Sequence, residues 1–184
     1  MSSLLKGEKL ALVRGGRLLF EDLDVELDAG DALHLTGPNG CGKSSLIRLV
    51  AGLLRPNAGR IERADAALAD DSIALDRELP LGRALDFWKG PRLVEAMSTL
   101  DLDRLAHVPV RLLSTGQARR ARLARVMAST APLWLLDEPL NGLDRDGVQR
   151  LAAAVAAHRG GGGAILAASH LALGDDWRTL EMGQ

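Results

Sequence analysis

The chain has 184 residues, 47% of them hydrophobic and 26% charged, with a net charge of −1. That length suits one domain with a sizeable core, and the composition is that of a globular rather than a disordered chain. The near-zero charge speaks against nucleic acid as the main partner, and the lone cysteine, Cys41, excludes an internal disulfide and suits a reducing compartment.

Lys9 to Val13 is a short strand candidate, followed by a turn at Arg14-Gly15-Gly16-Arg17. Leu23, Val25 and Leu27 alternate with Asp24, Glu26 and Asp28, the pattern of a half-buried strand. The opening thus predicts a small antiparallel sheet that leads into a parallel core. The first nine residues lack the apolar centre of a secretory signal, and no run approaches the ~20 apolar residues of a membrane span.

Ala32 to Thr36 predicts a buried strand and Ser45 to Ala51 a helix. Between them, Gly37-Pro38-Asn39-Gly40-Cys41-Gly42-Lys43-Ser44 matches the phosphate-binding loop pattern G-x-x-x-x-G-K-[ST] at every fixed position. Glycine permits the positive φ angles and close backbone approach that a phosphate cradle needs. The loop and helix-start N–H groups then converge on one anion, Lys43 adds a positive charge for the β- and γ-phosphates, and the Ser44 hydroxyl is placed to ligand Mg²⁺. Cys41, inside the loop, reads as a small loop residue without a redox role.

Arg55-Pro56-Asn57-Ala58-Gly59 predicts a turn, with a weak strand over Arg60 to Glu62 and an ambiguous Ala-rich stretch from Ala64 to Ala69. Residues 79–106 carry helical spacing at Leu81, Ala84, Leu85 and Trp88, then at Leu93, Ala96, Met97 and Leu100, interrupted by Gly90-Pro91. They predict a small helical insertion. Ser114 and Gln117 have the spacing of a capping box, so Ser114 predicts the N-cap of a helix that runs to about Ser129. The arginines of that helix, Arg119, Arg120, Arg122 and Arg125, read mostly as a solvated face. Leu133-Trp134-Leu135-Leu136 predicts a buried parallel strand that ends in Asp137-Glu138-Pro139. Gly147 to Arg159 reads as a helix, Gly160 to Gly163 as a flexible joint, and Ala164 to Ala168 as a further buried strand that ends at Ser169-His170 with a short tail beyond.

Ligands of open α/β sheets bind at the carboxyl ends of the strands, where the phosphate loop, Asp137-Glu138 and Ser169-His170 would converge. Asp137 can hold Mg²⁺, Glu138 can orient and polarise an attacking water, and His170 can stabilise a γ-phosphate.

Leu113-Ser114-Thr115-Gly116-Gln117 resembles the L-S-G-G-Q signature of ATP-binding-cassette (ABC) proteins, and with the motifs above it extends the resemblance over nearly the whole chain. The resemblance implies an α/β fold, the P-loop NTPase nucleotide-binding domain of that family, as one domain over 1–184. Its mainly parallel core would carry an N-terminal antiparallel subdomain and a helical subdomain inserted at about 73–129. It implies that ATP with Mg²⁺ is held by Gly37 to Ser45, with Ser44 and Asp137 on the metal and Lys43, Glu138 and His170 in catalysis. Residues 113–117 would contact the ATP bound by a second copy in a head-to-tail homodimer, and Asp144 would communicate across that interface. An integral membrane transporter subunit (CcmB-like) would complete the complex, with the chain peripheral at the cytoplasmic face of the bacterial inner membrane. Within the family, Arg14-Gly15-Gly16-Arg17-Leu18-Leu19-Phe20, Leu85-Asp86-Phe87-Trp88 and Ala131-Pro132-Leu133-Trp134-Leu135-Leu136-Asp137-Glu138-Pro139 resemble the ATP-binding subunits of haem export in cytochrome c maturation. Two alternatives stay open: the ATPase of another small-molecule transporter, and a nucleotide-gated binding module with little turnover.

Two departures stand out. Arg14 occupies the position where the family usually stacks an aromatic on adenine; a guanidinium can also stack on a base. No glutamine lies between the phosphate loop and Gln117, where the family has its Q-loop glutamine near 70–75; two readings stay open, that Asp70, Asp71 or Ser72 stands in, or that the Mg²⁺ shell and the link to the membrane subunit are altered.

Overall fold

The computed structural model describes residues 3–70, 75–171, 173–174 and 176–183. Eight strands and five α-helices are found among them: β1 (Ser3–Arg14), β2 (Arg17–Asp28), β3 (Ala32–Thr36), α1 (Lys43–Val50), β4 (Ala58–Arg63), β5 (Ala66–Ala69), α2 (Leu81–Asp86), α3 (Leu93–Thr99), α4 (Thr115–Ala128), β6 (Leu133–Asp137), α5 (Arg145–Gly160), β7 (Ala164–Ala168) and β8 (Arg178–Glu181). No helix among the described residues is long and apolar enough to cross a membrane.

The strands form two sheets. One is three-stranded with order β2-β1-β4, both pairings antiparallel; the other is five-stranded with order β5-β6-β7-β3-β8. In the larger sheet β6–β7, β7–β3 and β3–β8 are parallel. Chain contacts divide the molecule into two compact units: Met1–Leu68 with Ala131–Glu138 and His158–Gln184, and Ala69–Thr130 with Pro139–Ala157.

The first unit is built on strands buried from both sides. Leu133 to Leu136 and Ala164 to Ala168 are all buried, which is why they read as unbroken apolar runs rather than alternating ones. The tail beyond His170 is more than a loop end: Arg178–Glu181 is a strand paired with β3, from Leu33↔Arg178 to Thr36↔Glu181. The glycine run after α5 is no loose joint either. The helix continues to Gly160, and a Cβ on Gly163 would overlap the His158 imidazole. That imidazole stacks on the Trp134 ring, with centroids 3.9 Å apart. Glycine is therefore required there to bring the turn beneath the ring.

In the second unit Leu81, Ala84, Leu85, Ala96, Met97, Leu100 and Leu102 make the core. Trp88 remains 44% exposed and Phe87 76% exposed. The arginines of α4 are not the solvated face expected of them. Arg120 donates to the Leu100 carbonyl at 3.0 Å, and Arg125 lies 4.4 Å over the Trp88 ring. Burial pushes the Arg125 guanidinium below its ordinary pKa, with the Asp70 carboxylate opposing. The long stems lie along apolar surface while the charged ends find partners in the same unit.

Candidate phosphate and nucleotide site

The site begins with register. Asp137 is level with Ala168 across β6–β7, and Ala168 with Leu35 across β7–β3. Glu138, Ser169 and, one residue past Thr36, Gly37 therefore emerge together at the carboxyl ends of these strands. Glu138 N–H donates to the Ala168 carbonyl at 2.8 Å, which extends the ladder one residue past the strand.

Gly37, Gly40 and Gly42 have φ of 129°, 78° and 113°, values that L side chains rarely adopt. Gly42 is the N-cap of α1 and supplies no side-chain cap, so the first N–H groups of that helix face the loop. Lys43 is buried and bends back over the loop, its ammonium donating to the carbonyls of Gly37 (2.7 Å) and Pro38 (3.1 Å). Pro38, Asn39 and Gly40 are exposed, and Cys41 is buried. Ser44 Oγ donates to Asp137 Oδ1 at 2.9 Å, so the two residues expected to share a metal ion already meet.

Glu138 has φ of 49°, a left-handed conformation that costs a non-glycine residue of order 1 kcal/mol. It brings Glu138 Oε1 to 3.4 Å from His170 Nε2, with the histidine side chain half exposed. Ser169, which precedes the histidine in the chain, is buried; its carbonyl accepts from His34 Nε2 at 2.8 Å and its hydroxyl from Leu171 N–H at 3.0 Å. Arg14 ends β1 and donates to Ser45 Oγ at 3.3 Å. Ser45 is buried and so acts as the anchor of that guanidinium.

Within the second unit, Ser114 and Gln117 form the expected capping box on α4. Gln117 N–H donates to Ser114 Oγ (3.2 Å), and Ser114 N–H donates to Gln117 Oε1 (2.9 Å). Ser114 and Thr115 are exposed, while Leu113, Gly116 and Gln117 are partly covered. A Cβ on Gly116 would stand 2.8 Å from the Gly142 carbonyl oxygen, so a glycine lets the following loop cross the helix start. Asp144 Oδ1 accepts from Gly147 N–H at 2.8 Å and caps α5. Asp70 is buried beside Arg125, its charge engaged inside its own unit, whereas Asp71 and Ser72 lie outside the described residues.

Sequence reasoning missed Met182 and Gly183, whose backbone lies against Gly37 and Cys41 of the phosphate loop. The alternation of Leu180 and Met182 with polar neighbours was the signal available.

A glycine loop between a parallel strand and an uncapped helix, facing an Asp-Glu pair and a histidine on adjacent strand ends, defines a P-loop NTPase. The family model described as "ABC transporter" matches residues 20–141, and the chain belongs to that family. It is 57% identical over 180 residues to the "Cytochrome c biogenesis ATP-binding export protein CcmA" of Sphingopyxis alaskensis, covering 94% of this chain and 93% of that protein. A protein of the same name from Novosphingobium aromaticivorans is 55% identical over 163 residues, covering 88% and 85%. Among solved structures, "Structure of ATP binding subunit of ABC transporter" superposes with a TM-score of 0.87 at 23% identity, over 97% of this chain and 85% of that one, and shares the fold.

Proposed function

We propose that the chain is the ATP-binding and ATP-hydrolysing subunit of an ABC transporter complex that serves haem export, or release of a haem-carrying chaperone, in cytochrome c biogenesis. In this reading 1–184 is one nucleotide-binding domain. Two copies act together, and an integral membrane subunit (CcmB-like) anchors them at the cytoplasmic face of the inner membrane. Support comes from the names of relatives that match almost end to end. The observation that carries the chemistry is the pairing of Ser44 with Asp137 at 2.9 Å beside Glu138 and His170 at 3.4 Å.

The donor set fits Mg²⁺. A serine hydroxyl and one carboxylate are hard oxygen ligands, and Mg²⁺ in nucleotide sites takes one or two protein oxygens plus phosphates and water. Ser44 and Asp137 would hold the ion, which when bound would neutralise phosphate charge. The chain's own residues do the rest. The open N-terminus of α1 and the loop N–H groups hold the phosphates. Lys43 trades its loop carbonyls for phosphate oxygens. Glu138 orients the attacking water and accepts its proton, and His170 fixes that carboxylate and faces the γ-phosphate. Arg14, anchored on Ser45, lies against the base. The N-terminus of α4 in the second copy, at Leu113 to Gln117, closes over the γ-phosphate, and Asp144 holds the neighbouring loop. Closure by ATP and opening after hydrolysis perform the conformational work.

The test is Mg²⁺-dependent phosphate release by the purified subunit assembled with its membrane partner. Wild type is expected to turn over, and Glu138→Gln to lose at least ~100-fold in rate while it still binds ATP. Wild-type release no faster than that of Glu138→Gln would defeat the hydrolytic reading.

A further inference from the structure

The loop that cradles phosphate is touched by a stretch of chain far from it in sequence. Beyond β8, Met182 N–H donates to the Thr36 carbonyl at 2.9 Å, the last ladder bond before the loop begins. Met182 is 3% exposed. A Cβ added to Gly37 would overlap the Met182 carbonyl oxygen, and one added to Gly183 would stand 2.8 Å from Cys41 Cβ, with Pro38 ring atoms at 3.5 Å. Both glycines have positive φ, 129° at Gly37 and 91° at Gly183. The tail thus passes over the first half of the loop with no room for a methyl group on either side. The same half-loop supplies the Gly37 and Pro38 carbonyls that hold Lys43.

We propose that Met182 and Gly183 are positioning residues for the nucleotide site: they form a strut that sets the path of Gly37 to Cys41 and, through it, the rest position of Lys43. The inference rests on the reading of the loop as a phosphate site. Close packing transmits a displacement of a few tenths of an ångström rather than absorbing it. A bulkier residue at 183 therefore moves the loop, and phosphate affinity falls although neither residue touches nucleotide. Turnover of bound nucleotide depends on Glu138 and His170, on other strand ends, and changes little.

The experiment is a double-mutant cycle on the full chain, read as the dissociation constant of the fluorescent nucleotide mant-ATP with Mg²⁺ and as the KM and kcat of ATP hydrolysis. Gly183→Ala is expected to raise Kd and KM about tenfold, the size that overpacking delivers, with kcat within about twofold. Cys41→Gly removes the atom the new methyl group meets. The double variant should bind at least about fivefold tighter than the product of the two single effects; strain from φ at 183 appears on both arms and cancels. Where Gly183→Ala fails to fold, Gly183→Asn, which tolerates positive φ, takes its place with the same expected rise. An additive cycle, or a Kd within twofold of wild type for the 183 variant, overturns the strut. Wild-type chain that takes up no mant-ATP overturns the phosphate-site reading itself, and the strut with it.

Discussion

Two helix N-termini carry the polar chemistry of this chain, and they are finished differently. At α1 the cap is Gly42, which has no side chain to offer, and the first N–H groups face a loop of glycines. At α4 the cap is Ser114, tied reciprocally to Gln117, so part of that terminus is satisfied before any ligand arrives. An uncapped terminus stays destabilised until an anion takes its N–H groups; a capped one is stable alone and offers what the cap leaves, the Thr115 and Gly116 N–H groups and the dipole. The difference suits two tasks. Under the proposed function the α1 terminus grips phosphate within its own unit, and the exposed α4 terminus completes a site that another copy has filled.

The largest break in this comparison comes from Lys43→Ala. Lys43 is the positive charge at the α1 terminus, held over the loop by the Gly37 and Pro38 carbonyls. Its loss should weaken ATP binding by at least ~100-fold, the scale of a buried charge-assisted contact to phosphate. Equilibrium binding of labelled ATP checks this; an affinity within threefold of wild type would remove Lys43 from the site.

At the α4 terminus the matching change is Ser114→Arg. The capping box loses its serine, at a cost of about 1 kcal/mol, and a long cation covers the terminus. Nucleotide binding by a single copy should be unchanged, while ATP-driven dimers in a Glu138→Gln background should be lost on a sizing column. Normal dimers would mean that the α4 terminus does not serve a second copy.

Which of these features could be read before the fold was known follows from physics. The phosphate loop, the acidic strand end and the capping box are local devices, whose letters and spacing are fixed by backbone geometry over a few residues. The capping box was legible for that reason: the Ser114 and Gln117 spacing marked the N-cap, and both of its hydrogen bonds are present. Features set by distant packing were not. β8 is four residues long, and its place beside β3 depends on partners more than 140 positions away. The α4 arginines look like a solvated face because a guanidinium's charge is visible in sequence and its buried stem is not. Asp70 was one of three candidates to replace a glutamine, and its burial beside Arg125 is a tertiary fact that its letter does not carry.

A third helix start sharpens the comparison at smaller scale. Asp144 caps α5 through Gly147, on an exposed loop. Asp144→Ala should cost about 1 kcal/mol and lower Tm by ~2–4 °C in a chain of this size, with ATP affinity unchanged. A loss of dimerisation larger than that stability change explains would assign Asp144 to the interface as well; a Tm equal to wild type would remove its capping role.

The smallest effect lies in the three-stranded sheet, away from every helix terminus. Glu8 on β1 is hydrogen-bonded by Arg60 of β4 and paired with Lys6 at 3.0 Å. The Arg60 guanidinium, then Lys6, holds its carboxyl down to about 2 from an ordinary 4.5. A carboxyl whose folded pKa is depressed stabilises the fold above the unfolded value and loses that contribution as pH falls from about 4.5 through about 2. The pair lies at the surface, with Lys6 and Arg60 both open to solvent, so solvent and salt screen most of the gain. Glu8→Gln should therefore lower Tm by about 2 °C at most at pH 7. The difference from wild type should shrink towards nothing at pH 2 and in high salt. Thermal melts of both chains at pH 7, 4 and 2.5 check this, and a gap that widens as pH falls would show that the Glu8–Arg60 pair does not hold the edge of the sheet in solution.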